Sequence, residues 1–149
     1  MQLSVSVRIQ AQAEKVWEII SHIEKKHEVI SAVEGIEVLE QGSQDGVGLK
    51  WKETRKFNGK TAEEVMWITD AKKPLYINTR AESNGTVYVS RWTIHAHKEH
   101  SDLGIEFTAT PVNFMSKLMS ALLGGKIRKD TSAAFRKDLQ DVKAAAENA

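Results

Sequence analysis

Glu53, Arg55 and Glu64 are the residues of this sequence whose types and spacing could support acid–base chemistry. They flank the Asn58-Gly59 pair, and a two-residue turn there would place Glu53 opposite Glu64, with Arg55 one step away on the same face. Two facing carboxyl groups in a poorly solvated place resist full ionisation, whereas a nearby arginine favours the charged form. The three side chains could therefore supply a general acid and base, or orient the polar end of a ligand.

The same three charges also have a plainer interpretation. If the ends of these strands reach the rim of the sheet, Glu53, Arg55 and Glu64 form a solvated ion cluster that contributes little to stability. Glutamate and arginine are seldom buried, which favours the rim. Both interpretations are compatible with the sequence.

The segment HAHKEH, with His95, His97 and His100, resembles a metal-binding cluster. Strand spacing places His95 and His97 on one side, as a zinc ion would require. The predicted hairpin pairing assigns that side to solvent, and no inward carboxylate accompanies the histidines in sequence. We therefore predict a surface loop with histidines, no bound metal and no cofactor.

Two Asn-Gly pairs determine most of the predicted sheet, because both positions of a type I′ turn need positive φ. Asn58-Gly59 and Asn84-Gly85 each lie between strand-like segments. Counting back from the two turns predicts the following opposed residues: Trp51 with Met66, Glu53 with Glu64, Arg55 with Ala62, Ile77 with Trp92, Thr79 with Ser90, and Ala81 with Tyr88. The apolar sides of both hairpins agree in this register.

Periodicity predicts the remaining elements. Alternating apolar residues indicate a first strand around Leu3–Ile9 and a last strand around Leu103–Ala109. Helical spacing begins at Ala13, with a second short helix possible to about Ala32, and a long C-terminal helix follows Pro111. Gly124-Gly125 lies within that helix, where we expect a kink or a full break.

This order of elements, with the motif IQAQAEKVWEII joining the first strand to the first helix, resembles the START-like (SRPBCC) superfamily of helix-grip proteins. That group includes birch pollen allergen relatives, polyketide cyclases and lipid-transfer domains. The resemblance covers residues 1–149 and implies a single α+β domain, in which a curved antiparallel sheet of about seven strands wraps around the long C-terminal helix. It further implies a small hydrophobic ligand, lipid-like, aromatic or polyketide-like, held between sheet and helix.

Residues that the predicted facing directs between sheet and helix form the candidate ligand site. They are apolar or aromatic, with a few hydroxyl and charged groups, as in many ligand pockets. The set comprises Trp51, Glu53, Arg55, Glu64, Met66, Thr79, Tyr88, Ser90, Trp92, Phe107, Met115, Leu118, Met119 and Leu122.

Composition restricts the possible partners. Among 149 residues, 21 Lys and Arg nearly balance 20 Asp and Glu, so net charge favours neither nucleic acid nor an anionic surface. There is no cysteine, which excludes thiolate chemistry and fits a reducing cytoplasm. No stretch approaches a membrane span. We expect a cytoplasmic monomer or weak homodimer.

Three functions remain open at this point. The first is binding or transport of a small hydrophobic molecule, and the second is a cyclase, dehydratase or hydrolase that uses Glu53 and Glu64 as acid and base. The third is a protein-interaction module whose outer face includes Trp67 and Lys50.

Overall fold

The computed structural model describes residues 1–148, which form one seven-stranded antiparallel sheet and a long C-terminal helix. The strand order is β1-β7-β6-β5-β4-β3-β2. The strands are β1 (Gln2–Ile9), β2 (Val33–Glu40), β3 (Lys50–Phe57), β4 (Lys60–Lys72), β5 (Tyr76–Ser83), β6 (Thr86–Ala96) and β7 (Ser101–Pro111). The helices are α1 (Ala13–Ser21), a 3₁₀ turn (Ile23–Lys25), α2 (Lys26–Val29) and α3 (Phe114–Glu147). The predicted α+β helix-grip architecture is confirmed.

Both predicted hairpins have the predicted register. Asn58 and Asn84 adopt φ values of 53° and 51°, and the glycines that follow them also have positive φ, as type I′ turns require. All six pairs named above are present, including Glu53 opposite Glu64 and Thr79 opposite Ser90. The chemistry-bearing side chains of β3 and β4 therefore share one face of the sheet.

The other face of this hairpin is the more solvated one. Trp67 lies there, partly buried, opposite Lys50 and Arg80. The Lys50 ammonium is 5.9 Å from the centre of the Trp67 ring, within cation–π range.

Helix α3 is continuous, so a full break at Gly124-Gly125, one of the two expected outcomes, is wrong, while a kink there stays a prediction. A glycine keeps its backbone N–H and costs only about 1 kcal/mol relative to alanine in a helix. Contacts on both sides of the pair hold the helix in place: Ser116 Oγ donates to the carbonyl of Asn84 at 2.8 Å, and Asn58 Nδ2 donates to Asp130 at 3.0 Å. Each hairpin tip thus contacts α3.

The two halves of α3 differ in burial. In the C-terminal part, Leu139, Val142 and Ala146 are each about 1% exposed and pack into the core with residues of β1, β7 and α1. None of residues 114–137 is buried. None of the helices in residues 1–148 combines the length and apolar character that crossing a bilayer requires.

Candidate functional site

A cavity of about 740 Å³ lies between the inner face of the sheet and α3. Twelve of the fourteen residues predicted for the ligand site line it: Trp51, Glu53, Arg55, Glu64, Met66, Thr79, Tyr88, Ser90, Trp92, Phe107, Met115 and Met119. Leu118 and Leu122 do not line the cavity, and their exposed fractions are 42% and 70%. The helical stripe assigned to the site was too wide, because these two leucines face away from the sheet.

Most of the cavity wall is apolar. Tyr88 and Phe107 stack with ring centres 6.0 Å apart, and Phe135 of α3 meets Phe107 edge-on at 5.0 Å. Thr79 and Ser90, opposed on β5 and β6, hydrogen-bond to each other through their hydroxyl groups. The wall therefore offers aromatic faces and a few hydroxyl groups.

Charged residues form one polar region of the wall, centred on Glu53. This carboxylate is 2% exposed, so the interpretation of a solvated rim cluster is wrong for Glu53. Its Oε1 accepts hydrogen bonds from Lys26 Nζ at 2.8 Å and Trp51 Nε1 at 3.3 Å. Its Oε2 accepts one from Arg55 Nε at 3.1 Å. A buried carboxylate is tolerated here because two cations and an indole satisfy it.

The ionisation of Glu53 follows from these contacts. Burial alone would raise the pKa of its carboxyl group, but the charges of Lys26 and Arg55, with the hydrogen bonds from Lys26 and Trp51, lower that pKa to about 2. Glu53 is therefore ionised at neutral pH and is a weak base.

Asp138 connects α3 to this cluster. Its Oδ2 accepts a hydrogen bond from Arg55 Nη2 at 2.9 Å, while its Oδ1 is buried with no hydrogen-bond partner among the described residues. The side chain is 1% exposed and lines the cavity. Burial raises the pKa of Asp138, and the charge of Glu53 adds to that effect, against the opposing influence of Arg55 and Lys26.

Glu64 lies opposite Glu53 but ionises differently. Partial burial and the negative charge of Glu53 raise the pKa of Glu64, and Arg55 only partly opposes them. Burial and the nearby Glu64 also raise the pKa of the Tyr88 hydroxyl. The facing carboxyl groups thus have pKa values displaced in opposite directions.

The histidine segment lies outside this cavity. His97, His100 and Asp102 have potential metal-ligand atoms within 4.8 Å of one another, and His97 Nε2 is 2.9 Å from Asp102 Oδ2. The strand pairing brings Asp102 of β7 beside β6, so a carboxylate that is not on the inner face lies next to the histidines. Asp102 also accepts a hydrogen bond from Arg8 at 3.4 Å. His95 is exposed and is not part of this group.

Lys26 and Asp138 are cavity residues that the sequence analysis missed. Asp138 carries a recognisable signal: it follows Phe135 by three positions and precedes Val142 by four, which places an acid on the apolar stripe of α3. Lys26 lies in a charged segment, KKHE, where nothing in the local pattern separates it from Lys25.

The sequence matches the model of the polyketide cyclase / dehydrase and lipid transport family over residues 1–147. The chain belongs to this family. Among curated proteins, none matches the sequence. The START-like resemblance noted above is confirmed by the family match and by solved structures.

The solved structures that are similar to this chain include two aromatase/cyclases and a START superfamily protein. The Zhui aromatase/cyclase from Streptomyces sp. R1128 has 16% sequence identity and a TM-score of 0.80, with 99% of this chain and 94% of that chain covered. The di-domain ARO/CYC BexL from the BE-7585A biosynthetic pathway also has 16% identity and a TM-score of 0.80; this chain is 99% covered but spans only 50% of BexL. A START superfamily protein from Mycobacterium smegmatis has 15% identity and a TM-score of 0.69, with coverage of 95% and 98%. At these identities the likeness shows the fold alone.

Proposed function

We propose that this chain binds a small, largely hydrophobic molecule, lipid-like, aromatic or polyketide-like, in the cavity beneath α3. One observation carries the proposal: an apolar cavity of about 740 Å³ ends in buried charged side chains. The volume lies within the range of about 300–1,000 Å³ that ligand pockets occupy. Membership of a polyketide cyclase / dehydrase and lipid transport family supports it.

The charged region would orient the ligand. Asp138 Oδ1 lacks a partner, and leaving a buried polar atom unsatisfied costs about 1–3 kcal/mol. A hydroxyl or carbonyl group of the ligand would satisfy Asp138 or Glu64, while the hydrocarbon or aromatic part would lie against Phe107 and Phe135. We therefore propose a ligand with one polar end, inserted with that end toward Arg55.

Binding can be tested with 8-anilinonaphthalene-1-sulfonate, an anionic aromatic probe, and by native mass spectrometry of freshly purified protein. We expect saturable fluorescence enhancement at one site, or a co-purified mass that organic extraction removes. Ala81, 4% exposed and part of the lining, offers a blocking variant: Ala81→Phe fills the cavity and should weaken probe binding.

The matched control is Ala144→Phe, because Ala144 lies on the exposed side of α3. Probe binding should be unchanged in this variant. Equal binding by wild type and Ala81→Phe, together with a ligand-free mass, would contradict the proposal.

A second candidate function is catalysis in the same cavity, as a cyclase, dehydratase or hydrolase. The specific observation in its favour is that Glu64 has a raised pKa while Glu53, opposite it, has a pKa of about 2. Such a split is common where one carboxyl group must hold a proton. Glu64 would be the general acid, and Glu53 would position Arg55 rather than act as a base.

This candidate predicts that Glu64→Gln abolishes chemical conversion of the co-purified molecule and leaves its binding intact. Glu63→Gln, a change of the exposed neighbour, should leave conversion unaffected. Unaltered conversion in Glu64→Gln would remove Glu64 from the reaction.

A further inference from the structure

The N-terminal part of α3 carries an apolar ridge on the side that faces away from the cavity. Phe114, Leu118 and Leu122 follow one another at four-residue spacing, and their exposed fractions are 77%, 42% and 70%. Residues four apart lie on one face of a helix, so the three side chains form a continuous strip. None of them lines the cavity. Val112, just before the helix, adds a side chain that is 59% exposed.

The opposite side of the same helical segment is also apolar. Met119 and Ile127 line the cavity. A helix that is apolar all round is normally covered on all sides, by a protein core or by lipid. Here Met119 and Ile127 face the cavity but remain 47% and 41% exposed, and the outer strip is open to solvent. An exposed apolar strip of this kind marks a docking surface.

The charge near the apolar strip indicates which kind of surface the strip binds. Between residues 112 and 130 there are four cations, Lys117, Lys126, Arg128 and Lys129, and one acid, Asp130, which gives a local charge of +3. The whole chain carries only +1. Asp130 is already bonded to Lys126 at 2.8 Å, so this segment presents mainly positive charge to its surroundings.

We propose that the N-terminal part of α3, with Phe114, Leu118 and Leu122 in contact with lipid, docks on an anionic bilayer surface. An apolar strip beside several basic side chains is the pattern of helices that lie in the membrane interface, where the apolar side chains enter the headgroup boundary and the cations meet anionic lipids. The docking needs no spanning segment.

A second copy of the chain fits this surface less well. A symmetric dimer brings the same patch of both subunits together, so the cations of one subunit would face the same cations of the other and repel them. The only acid of the segment, Asp130, is already bonded to Lys126 and Asn58. Anionic headgroups supply the missing opposite charge.

Docking would place the cavity next to the membrane. Met115 and Met119 both line the cavity and are themselves 64% and 47% exposed, so the cavity wall reaches the docking surface. If the proposed ligand binding is correct, an apolar ligand could pass between bilayer and cavity along this helix. The docking itself does not depend on that binding.

Vesicle flotation tests the proposal. Wild type should float with vesicles of three-quarters phosphatidylcholine and one-quarter phosphatidylglycerol, and bind vesicles of pure phosphatidylcholine much more weakly. Leu118→Ser and Leu122→Ser should each weaken binding to the anionic vesicles by about tenfold, since each removes an apolar side chain that the bilayer would bury. The matched control is Leu39→Ser, because Leu39 on β2 is similarly exposed, at 45%, but lies outside the strip.

A charge series forms the second arm of the test. Arg128→Glu combined with Lys129→Glu should weaken anionic-vesicle binding by about tenfold or more, because each basic residue near such a surface contributes about 1 kcal/mol. Lys98→Glu changes an exposed residue in the β6–β7 connection and should leave anionic-vesicle binding unchanged.

Light scattering of the same samples separates the docking proposal from self-association. If wild type floats with neither vesicle type, or if Leu122→Ser converts a dimer to a monomer without a change in vesicle binding, the proposal is overturned. Vesicle binding by a protein that takes up no probe would leave the docking intact and contradict only the proposed ligand binding.

Discussion

Arg55 Nη2 lies 2.9 Å from Asp138 Oδ2 and thereby joins strand β3 to helix α3 at the charged region of the cavity. The same guanidinium donates a hydrogen bond to Glu53 through Nε, so one arginine contacts two buried acids from different elements. This side chain is therefore one link between the sheet and the helix that covers it, in addition to the contacts of the two hairpin tips with α3.

Asp138→Leu should destabilise the fold by about 3 kcal/mol, because it leaves part of the Arg55 charge uncompensated in a buried place. Urea unfolding monitored by tryptophan fluorescence measures the change. Glu82→Gln breaks an exposed ion pair with Arg80 and should change the free energy of unfolding by less than about 0.5 kcal/mol. Equal effects of the two variants would show that the Arg55–Asp138 pair adds nothing to stability.

Stability should fall in acid partly because Glu53 must be protonated. Its pKa is about 2 in the folded chain against 4.5 for the ordinary group, so the unfolded chain binds more protons between these values. The stabilisation is present above pH 4.5 and is lost as the pH falls toward 2, with a total of about 3 kcal/mol. Urea unfolding across this pH range measures it.

Glu53→Gln should remove this part of the pH dependence, although the variant is itself less stable. Glu63→Gln changes the neighbouring exposed residue on the opposite face and should retain it. If the free energy of unfolding depends on pH equally in both variants, Glu53 is not the group responsible for this loss of stability in acid.

Glu64 should titrate above the ordinary glutamate value of 4.5, because partial burial and the charge of Glu53 both favour its protonated form. The stability contributed by this protonated group is present below pH 4.5 and is lost as the pH rises through the raised pKa. Carbon-13 NMR of the side-chain carboxyl group measures the midpoint. In Glu53→Gln the midpoint of the Glu64 titration should move to lower pH, because the like charge is gone. If the midpoint is unchanged, burial alone raises the pKa of Glu64.

Gly85→Ala should destabilise the chain more than Gly59→Ala does. Both glycines end type I′ turns, with φ values of 72° and 75°, so both substitutions force alanine into a left-handed conformation at a cost of about 1 kcal/mol. A Cβ atom at Gly85 would also collide with the side chains of Asn113 and Ser116, whereas nothing lies within 4 Å of one at Gly59.

The comparison therefore isolates the contact between the β5–β6 tip and the start of α3. Asn113 caps the helix by accepting a hydrogen bond from the backbone N–H of Ser116, at 2.9 Å, and the collision would disturb this cap. Thermal unfolding of both variants measures the difference. If both variants lose the same thermal stability, the β5–β6 tip can shift to accommodate the added methyl group without disturbing the start of α3.

Much of the fold could be predicted from the sequence because the decisive signals are local. An Asn-Gly pair selects a two-residue turn, and the turn fixes which residues face each other, so the Trp51–Met66 and Thr79–Ser90 pairs could be counted from the turns alone. The placement of most cavity residues followed from that register.

The charged region could be predicted only in part, because its partners come from distant elements. Lys26 lies 27 positions from Glu53, and Asp138 lies 83 positions from Arg55. Pattern analysis placed Glu53 and Arg55 on the inner face but could not supply these partners, so it left burial undecided. Leu118 and Leu122 were misplaced because α3 is apolar on two sides, and periodicity does not say which side meets the sheet.

Gly125→Ala should stabilise the chain by about 1 kcal/mol. The glycine lies inside a continuous helix, where alanine has the higher intrinsic propensity, and nothing lies within 4 Å of the added Cβ atom. Urea unfolding measures the gain. Gly35→Ala is the control, because Gly35 in β2 has equally open space around its Cβ position but lies in a strand rather than a helix. If α3 instead required a distorted turn at this point, Gly125→Ala would be destabilising, and helix continuity through residues 124 and 125 would be refuted.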